Sequence, residues 1–359
     1  MEICTKPKEE KKTLAAKHEF IACDVCKLIL AILVVVIHTA PLSGISDRAN
    51  HLLVEGVCRV AVPYFFITSG FFLAPKLGDK KALIKYIKRI LIMYAVASVI
   101  YIPIHLLQWY GRHAQISFVD YFKQVFIGVL QGAGFYGHLW YLQALIVGTL
   151  LLYLLTKVLK VKTPILIIIA VLLYLFGVCE KGYYGLIKQI PAFDAVICAY
   201  KSIFNDTGNG VFFGLPYLTI GCLLSENRSK IIKLKYWAMF LASLVLLLTE
   251  LVLLTEFTEI NAYSMTLSIP VASTFLFLFT AFIDVDEKYS NVGIWCRKAS
   301  IIVYLYHQVA AFTLLYIYIY LRKGITNLAV FIVTIAACLI FSAIVIHLEK
   351  RFKWLRYLH

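Results

Sequence analysis

The chain has 359 residues, 61% of them hydrophobic and only 15% charged, with a mean hydropathy of +0.83 and a net charge of +15. Soluble chains run roughly 45–50% apolar and about 25% charged, so a water-soluble globule is excluded. The basic excess does not mark a nucleic-acid binder, because Lys and Arg gather in short tracts between apolar runs, as loops beside anionic headgroups do.

In hydrocarbon the backbone must satisfy its own hydrogen bonds, so each apolar run is expected to be a helix. Residues 1–20 are polar and Lys-rich and predict a cytoplasmic basic tail. The run after Phe20 is too long for a signal peptide and lacks a small-residue cleavage site, so it is expected to be retained as the first span. Spans are predicted at 21–43, 56–75, 87–107, 138–156, 163–179, 210–224, 236–254, 264–283, 300–320 and 327–347. Segment 114–131 is amphipathic and is expected along the membrane surface. Residues 348–359 form a basic, aromatic tail suited to the inner headgroup region. The fold class is thus an all-α integral membrane protein, a bundle of about ten transmembrane helices over 21–347 with no soluble domain and no repeat.

Loop charge sets a direction. With a cytoplasmic N-terminus, the inner segments hold 25 Lys and Arg and the outer ones 8, and every inner loop carries at least 3. A missed or extra helix would invert all later loops, so ten spans with both termini cytoplasmic is the reading the charges favour. A multi-pass protein of the bacterial cytoplasmic membrane is expected, with the lipid bilayer as its first partner. The nine cysteines lie mostly in apolar runs and read as small buried residues. Cys23-x-x-Cys26 has no second pair or nearby His, so no metal site is expected.

Polar residues inside spans are functional candidates by default. The first span carries Asp24, Lys27 and His38. Eleven residues make about three helical turns, so Lys27 and His38 share a face and lie roughly 16 Å apart along the axis. Asp24, one turn from Lys27, is its natural ion-pair partner. Lys27 reads either as a snorkelling side chain or as a cation attracting an anionic donor. His38 reads either as a packed residue or as a general base for a hydroxyl from the outside. Arg59 opens the second span, as a headgroup anchor or a supporting group, and Ser69-Gly70 permits close helix packing. His138 and Trp140 open the fourth span; an aromatic belt explains the Trp but not the His. Tyr304 and His307, one turn apart in the ninth span, pack in the core or share a polar cavity. Lys88 and Arg89 at the start of the third span are positive-inside charge or a phosphate clamp.

Together these residues resemble the membrane acyltransferase-3 family of integral membrane O-acyltransferases. The likeness lies in Lys27 and His38 eleven apart, in Pro63-Tyr-Phe-Phe-Ile-Thr-Ser-Gly70, in Lys88-Arg89, in His138-Leu-Trp140, in Tyr304-Leu-Tyr-His307 and in Glu349. The resemblance covers the chain after about residue 20 and implies His38 as the catalytic residue. It implies Lys27, Lys88 and Arg89 as donor-binding residues. Asp24, Arg59, His138, Trp140, Tyr304 and His307 follow as acceptor-side or supporting residues. It further implies acyl-CoA, most commonly acetyl-CoA, as donor substrate, no bound cofactor, and a hydroxyl of an extracytoplasmic glycan, polysaccharide or small molecule as acceptor. Within the family, Ile37-His-Thr-Ala-Pro-Leu42, Ala61-Val-Pro-Tyr-Phe-Phe66, Gly182-Tyr-Tyr-Gly185 and Gly208-Asn-Gly-Val-Phe-Phe213 are similar to the membrane half of VanT-type serine racemases. That likeness implies serine delivery to a racemase domain, and no such domain is expected after the tenth span here. Two departures are Lys27, where the family has Arg, and short outer loops without a fused domain. The residues leave the oligomeric state open, and two functions stand: acyl transfer, or transport of serine or a related small solute.

Overall fold

Apolar runs alternating with basic loops fold as helices that successively reverse direction. The computed structural model describes residues 20–359 except 113, 114, 205, 233, 322 and 323, so the expected basic tail lies outside the described residues but for Phe20. Eight described helices are long and apolar enough to cross a membrane. They are α1 (Ile21–Thr39), α2 (Asp47–Lys76), α3 (Lys80–Gly111), α5 (Gly137–Val158), α6 (Thr163–Glu180), α9 (Tyr236–Phe257), α11 (Glu287–Tyr320) and α12 (Asn327–Leu348). Two shorter apolar helices, α8 (Gly210–Glu226) and α10 (Ile269–Phe282), complete the ten runs read from the sequence. The protein is an all-helical membrane protein. Between them α4 (Phe118–Leu130) and α7 (Pro191–Ile203) are amphipathic. In α4 only Tyr121 is buried, while Phe118, Val119, Phe126 and Leu130 are exposed, as a helix lying along a membrane surface requires.

The two short helices show how the bundle tolerates incomplete spans. At 14 residues α10 rises about 21 Å, short of the roughly 30 Å of hydrocarbon. It starts at Ile269, five residues later than the apolar run suggested, because Pro270 fixes its first turn and Glu250 of α9 caps it. The Glu250 carboxylate accepts from Leu267 N at 2.8 Å, Ser268 N at 2.9 Å and Tyr183 Oη at 2.6 Å, and from the Ser268 hydroxyl. Irregular backbone at depth is thus satisfied inside the protein and hidden from lipid. A second carboxylate, Glu180, 1% exposed, accepts from Thr207 Oγ1 at 2.9 Å and faces Lys181 and Lys201, both at 3.5 Å. Lys181 also pairs with Asp206 at 3.0 Å. These bonds tie the connections at 180–209 and 257–268 together at one end of the bundle.

The most extensive packing joins α1 to α11 and α2 to α8. At the second crossing a Cβ on Gly70 would meet the Leu218 backbone, and one on Gly221 the Ile67 carbonyl, so each helix needs glycine there. Cys222 Sγ donates to Gly70 O at 3.2 Å across the same contact. Helix α2 is irregular before this point, with a π-turn at Leu52–Gly56 and a 3₁₀ turn at Val57–Val60, where Gly56 lies against Leu248 and Leu251. After α12 the chain does not run out as a headgroup-facing tail. It folds back as a 3₁₀ segment, Lys353–Leu358, with Leu355 and Leu358 buried in the core and Phe352, Trp354 and Tyr357 exposed.

Candidate functional site

Ends of several helices converge on a cavity of about 870 Å³ beside Lys27. Six Lys and Arg side chains line it, Lys27, Lys76, Arg89, Arg297, Lys298 and Arg356, against two carboxylates, Asp24 and Glu349. Asp24 accepts from Lys27 Nζ at 3.1 Å, the pairing expected one turn apart, and from Arg297 at 3.3 Å. Lys27 also sits 5.4 Å over the Phe72 ring, so its ammonium is held at the cavity wall and does not snorkel freely. Glu349 pairs with Lys298 and with His359 Nε2 at 2.6 Å. Burial raises the Glu349 carboxyl, but the hydrogen bonds and charges of Lys298 and His359 outweigh it and hold the group below the ordinary carboxylate value.

Away from the charges the cavity turns aromatic. Phe65, Tyr141 and Tyr304 line it and contact one another edge-on, with ring centroids 6.1, 6.4 and 5.4 Å apart. Behind Tyr304, whose ring is 5.7 Å from that of His138, lies a cluster of three histidines. The His38 and His307 rings are 5.2 Å apart, His138 and His307 4.9 Å, and His38 and His138 6.3 Å. One layer of side chains therefore separates the cationic cavity from the histidines. Asp24 and His38, at opposite ends of α1, both meet α11.

Hydrogen bonding fixes the state of two of these rings. His307 Nδ1 faces the carbonyls of Tyr304 at 2.8 Å and Val303 at 3.1 Å. His138 Nε2 faces the Leu305 carbonyl at 3.1 Å and Tyr101 Oη at 3.3 Å. A carbonyl only accepts, so these nitrogens carry the protons, and His307 Nε2 and His138 Nδ1 are bare acceptors in the neutral rings. Both are buried without a hydrogen-bond partner among the described residues. His38 is exposed and makes no hydrogen bond among the described residues, so the cluster opens to its surroundings through that ring. No group of three or more His, Cys, Asp and Glu side chains among the described residues has metal-site geometry.

The structure sorts the residues that the sequence singled out. Lys27 and Arg89 line the cavity; Lys88, one residue and about 100° around α3, is exposed and does not. Asp24 stands with Lys27 at the cavity, away from the histidines. His138, Tyr304 and His307 come together with His38, and Tyr304 Oη donates to the His138 carbonyl. Trp140 turns away onto Phe66 and Phe213, with centroids 6.4 and 5.4 Å distant, and takes no part in the cluster. Arg59 is pinned to Glu55 one turn back, with Nε at 2.9 Å. Sequence reasoning missed Tyr101, Tyr141, Arg297, Lys298, Arg356 and His359. Arg297 stands seven residues before Tyr304, two turns of one helix, a spacing that places both on one face.

Comparison with known proteins fits this geometry. An acyltransferase domain model matches residues 20–347. Two amino-acid racemases of Enterococcus faecalis are 33% identical over 214 residues (59% of this chain, 29% of theirs) and 26% identical over 344 residues (94% and 47%). The serine/alanine racemase of Enterococcus gallinarum is 32% identical over 260 residues, 71% of this chain and 36% of its own length. The chain thus spans less than half the length of these curated relatives. No solved structure matches it. With its helical bundle covered almost end to end by the matching domain, the chain belongs to the acyltransferase-3 family of membrane proteins.

Proposed function

We propose that the protein is a membrane-bound O-acyltransferase that takes an acyl group, acetyl in the commonest case, from cytoplasmic acyl-CoA and transfers it to a hydroxyl of an extracytoplasmic acceptor. The observation that carries this reading is the cationic cavity ending one side-chain layer from three histidines, two of them with bare, buried acceptor nitrogens. The loop-charge bias of 25 to 8 supports placing the cavity on the cytoplasmic side of the bacterial cytoplasmic membrane and His38 toward the outside. Lys27 and Arg89 attract the donor's phosphates. The thioester reaches past Phe65, Tyr141 and Tyr304 toward the histidines. His38 takes the proton of the acceptor hydroxyl as its oxygen attacks the acyl carbon; the C–O bond forms, the C–S bond breaks, and the thiolate leaves and is protonated. His138 and His307 accept hydrogen bonds from the acceptor and orient it. Lys27, where the family has Arg, gives a point charge in place of a bidentate fork.

Replacing His38 by Ala tests the reading directly. Acyl-CoA consumption by the purified protein falls by about 10²-fold or more, the range of a lost general base, while its melting temperature stays that of wild type. Wild-type turnover in that variant sinks the assignment.

A second reading comes from the relatives, one of which is named a serine/alanine racemase. The same polar path would then carry serine or a related small solute across the bilayer. Uptake of radiolabelled serine into vesicles in the absence of acyl-CoA distinguishes it; uptake no faster than in empty vesicles counts against it.

A further inference from the structure

The cavity's charges do not all have partners. Lys27 and Arg297 share Asp24, and Lys298 shares Glu349 with His359. Lys76, Arg89 and Arg356 line the same cavity and form no ion pair among the described residues. They come from the end of α2, the first turns of α3 and the segment after α12. All three are exposed, so three cations from three segments give the cavity a positive potential that no ion pair neutralises.

The third segment is the unexpected one. A basic, aromatic stretch after a last span ordinarily lies among headgroups. Here Leu355 and Leu358, 7% and 8% exposed, enter the core, and in 3₁₀ geometry residues three apart share a face. Tyr306 Oη donates to Leu358 O at 3.4 Å, and His359 binds Glu349 at 2.6 Å. Tyr306 sits on α11, which lines the cavity, and Glu349, just past the end of α12, lines it directly, so the segment is a seated part of its wall. Both Lys353 and Arg356 are exposed, but Arg356, next to the buried Leu355, lines the cavity and Lys353 does not.

We propose that the folded-back segment Lys353–Leu358 completes a polyphosphate clamp, in which Arg356 acts with Lys76 and Arg89 on the phosphate groups of the donor. The proposal rests on the acyl-CoA reading above for its ligand. Its own content is separate: a donor-binding residue supplied from beyond the last membrane helix. Arg356 contributes a planar fork suited to bidentate phosphate binding, which Lys27 does not.

The test is equilibrium binding of CoA, and separately of inorganic pyrophosphate, to the full chain in phosphatidylcholine nanodiscs. The neutral lipid removes headgroup anions as a competing source of phosphate charge. Wild type is compared with Arg356→Ala, Arg356→Lys and Lys353→Ala. Arg356→Ala weakens both ligands by about tenfold, as loss of a charge-assisted bidentate contact does, and Arg356→Lys recovers part of the loss. Lys353→Ala leaves both within about twofold, as a surface charge does. Equal weakening by Arg356→Ala and Lys353→Ala overturns the clamp, because the effect is then only bulk surface charge. Unchanged binding in Arg356→Ala also overturns it, and if acyl transfer persists in that variant the donor reading stands without the clamp. Pyrophosphate binding that depends on Arg356, with CoA bound no more tightly than pyrophosphate, keeps the clamp and removes the acyl-CoA reading. A wild type that binds neither ligand overturns the clamp. If Arg356→Ala lowers the melting temperature, recovery of binding in Arg356→Lys separates the lost charge from a lost fold.

Discussion

The bundle holds two groups of polar residues, and they are built on opposite rules. At the connections beyond α6 and α9, Glu180 and Glu250 are saturated: Glu250 alone takes two backbone amides, a tyrosine and a serine hydroxyl. At the cavity and the histidine cluster, polar groups are left with capacity to spare. His138 Nδ1 and His307 Nε2 have no partner, and Lys76, Arg89 and Arg356 form no ion pair among the described residues. For the two buried histidine nitrogens an apolar surrounding makes the missing partner costly, so a protein keeps them only where something else supplies it; the three cations are exposed, and they add positive charge at the cavity that no ion pair neutralises. Saturation thus marks a frame, and unspent capacity marks a site, although both groups are equally conspicuous as polar residues in apolar sequence.

Two substitutions break the comparison if it is wrong. Glu250→Ala strands the Leu267 and Ser268 amides at the start of α10 and costs about 3 kcal/mol, from one to three per uncompensated buried group. Melting in detergent reads this as a large loss, while turnover per folded molecule stays near wild type. A collapse of turnover with unchanged melting would place Glu250 in the site instead. His307→Leu does the reverse. It removes a buried nitrogen that has no partner, and its Nδ1 faces only carbonyls of its own helix, so stability changes by under about 1 kcal/mol. Acyl-CoA consumption falls by about tenfold or more as the acceptor loses its orienting group. Destabilisation without loss of rate would make His307 part of the frame.

Much of the frame was legible because a bilayer imposes simple rules. All ten apolar runs are helices, and Gly70 does sit at a close crossing. The start of α10 was not legible, because its cap is a glutamate on α9, and no local signal in residues 260–270 reveals a carboxylate from another helix. Helix α11 begins before Arg297 and Lys298, where hydropathy reads a loop; the carboxylates that let two cations enter a helix here, Asp24 and Glu349, lie far away in sequence. In the site, His38, His138, Tyr304 and His307 were readable as ionisable or polar residues at depth. Trp140 and Lys88 were carried along by adjacency in sequence, yet a helix sends neighbours to different faces, and both point elsewhere. Arg356 was hidden because leucines three residues apart, not the basic composition around them, decide how that segment packs.

The smallest expected effect concerns how firmly that segment is seated. His359 lies below the ordinary histidine value because burial disfavours its charge; Glu349 opposes that, and Lys298 and Arg89 add to it. Glu349 is also held below its ordinary value, by Lys298 and His359 acting against burial. Both groups therefore bind fewer protons in the folded than in the released state, and seating weakens as pH falls. The weakening starts as pH drops through the ordinary histidine value, about 6.5, and resumes through the carboxylate range, about 4.3. Amide hydrogen exchange across Lys353–Leu358, corrected for intrinsic rates, should show opening increase a few-fold between pH 8 and pH 5.5, while exchange in the core of α11 stays constant. In Glu349→Gln the carboxylate step disappears and the segment is looser throughout. Protection that is flat across this range would mean that Leu355 and Leu358 alone hold the segment, and that the Glu349–His359 pair tunes the cavity's charge without fastening its wall.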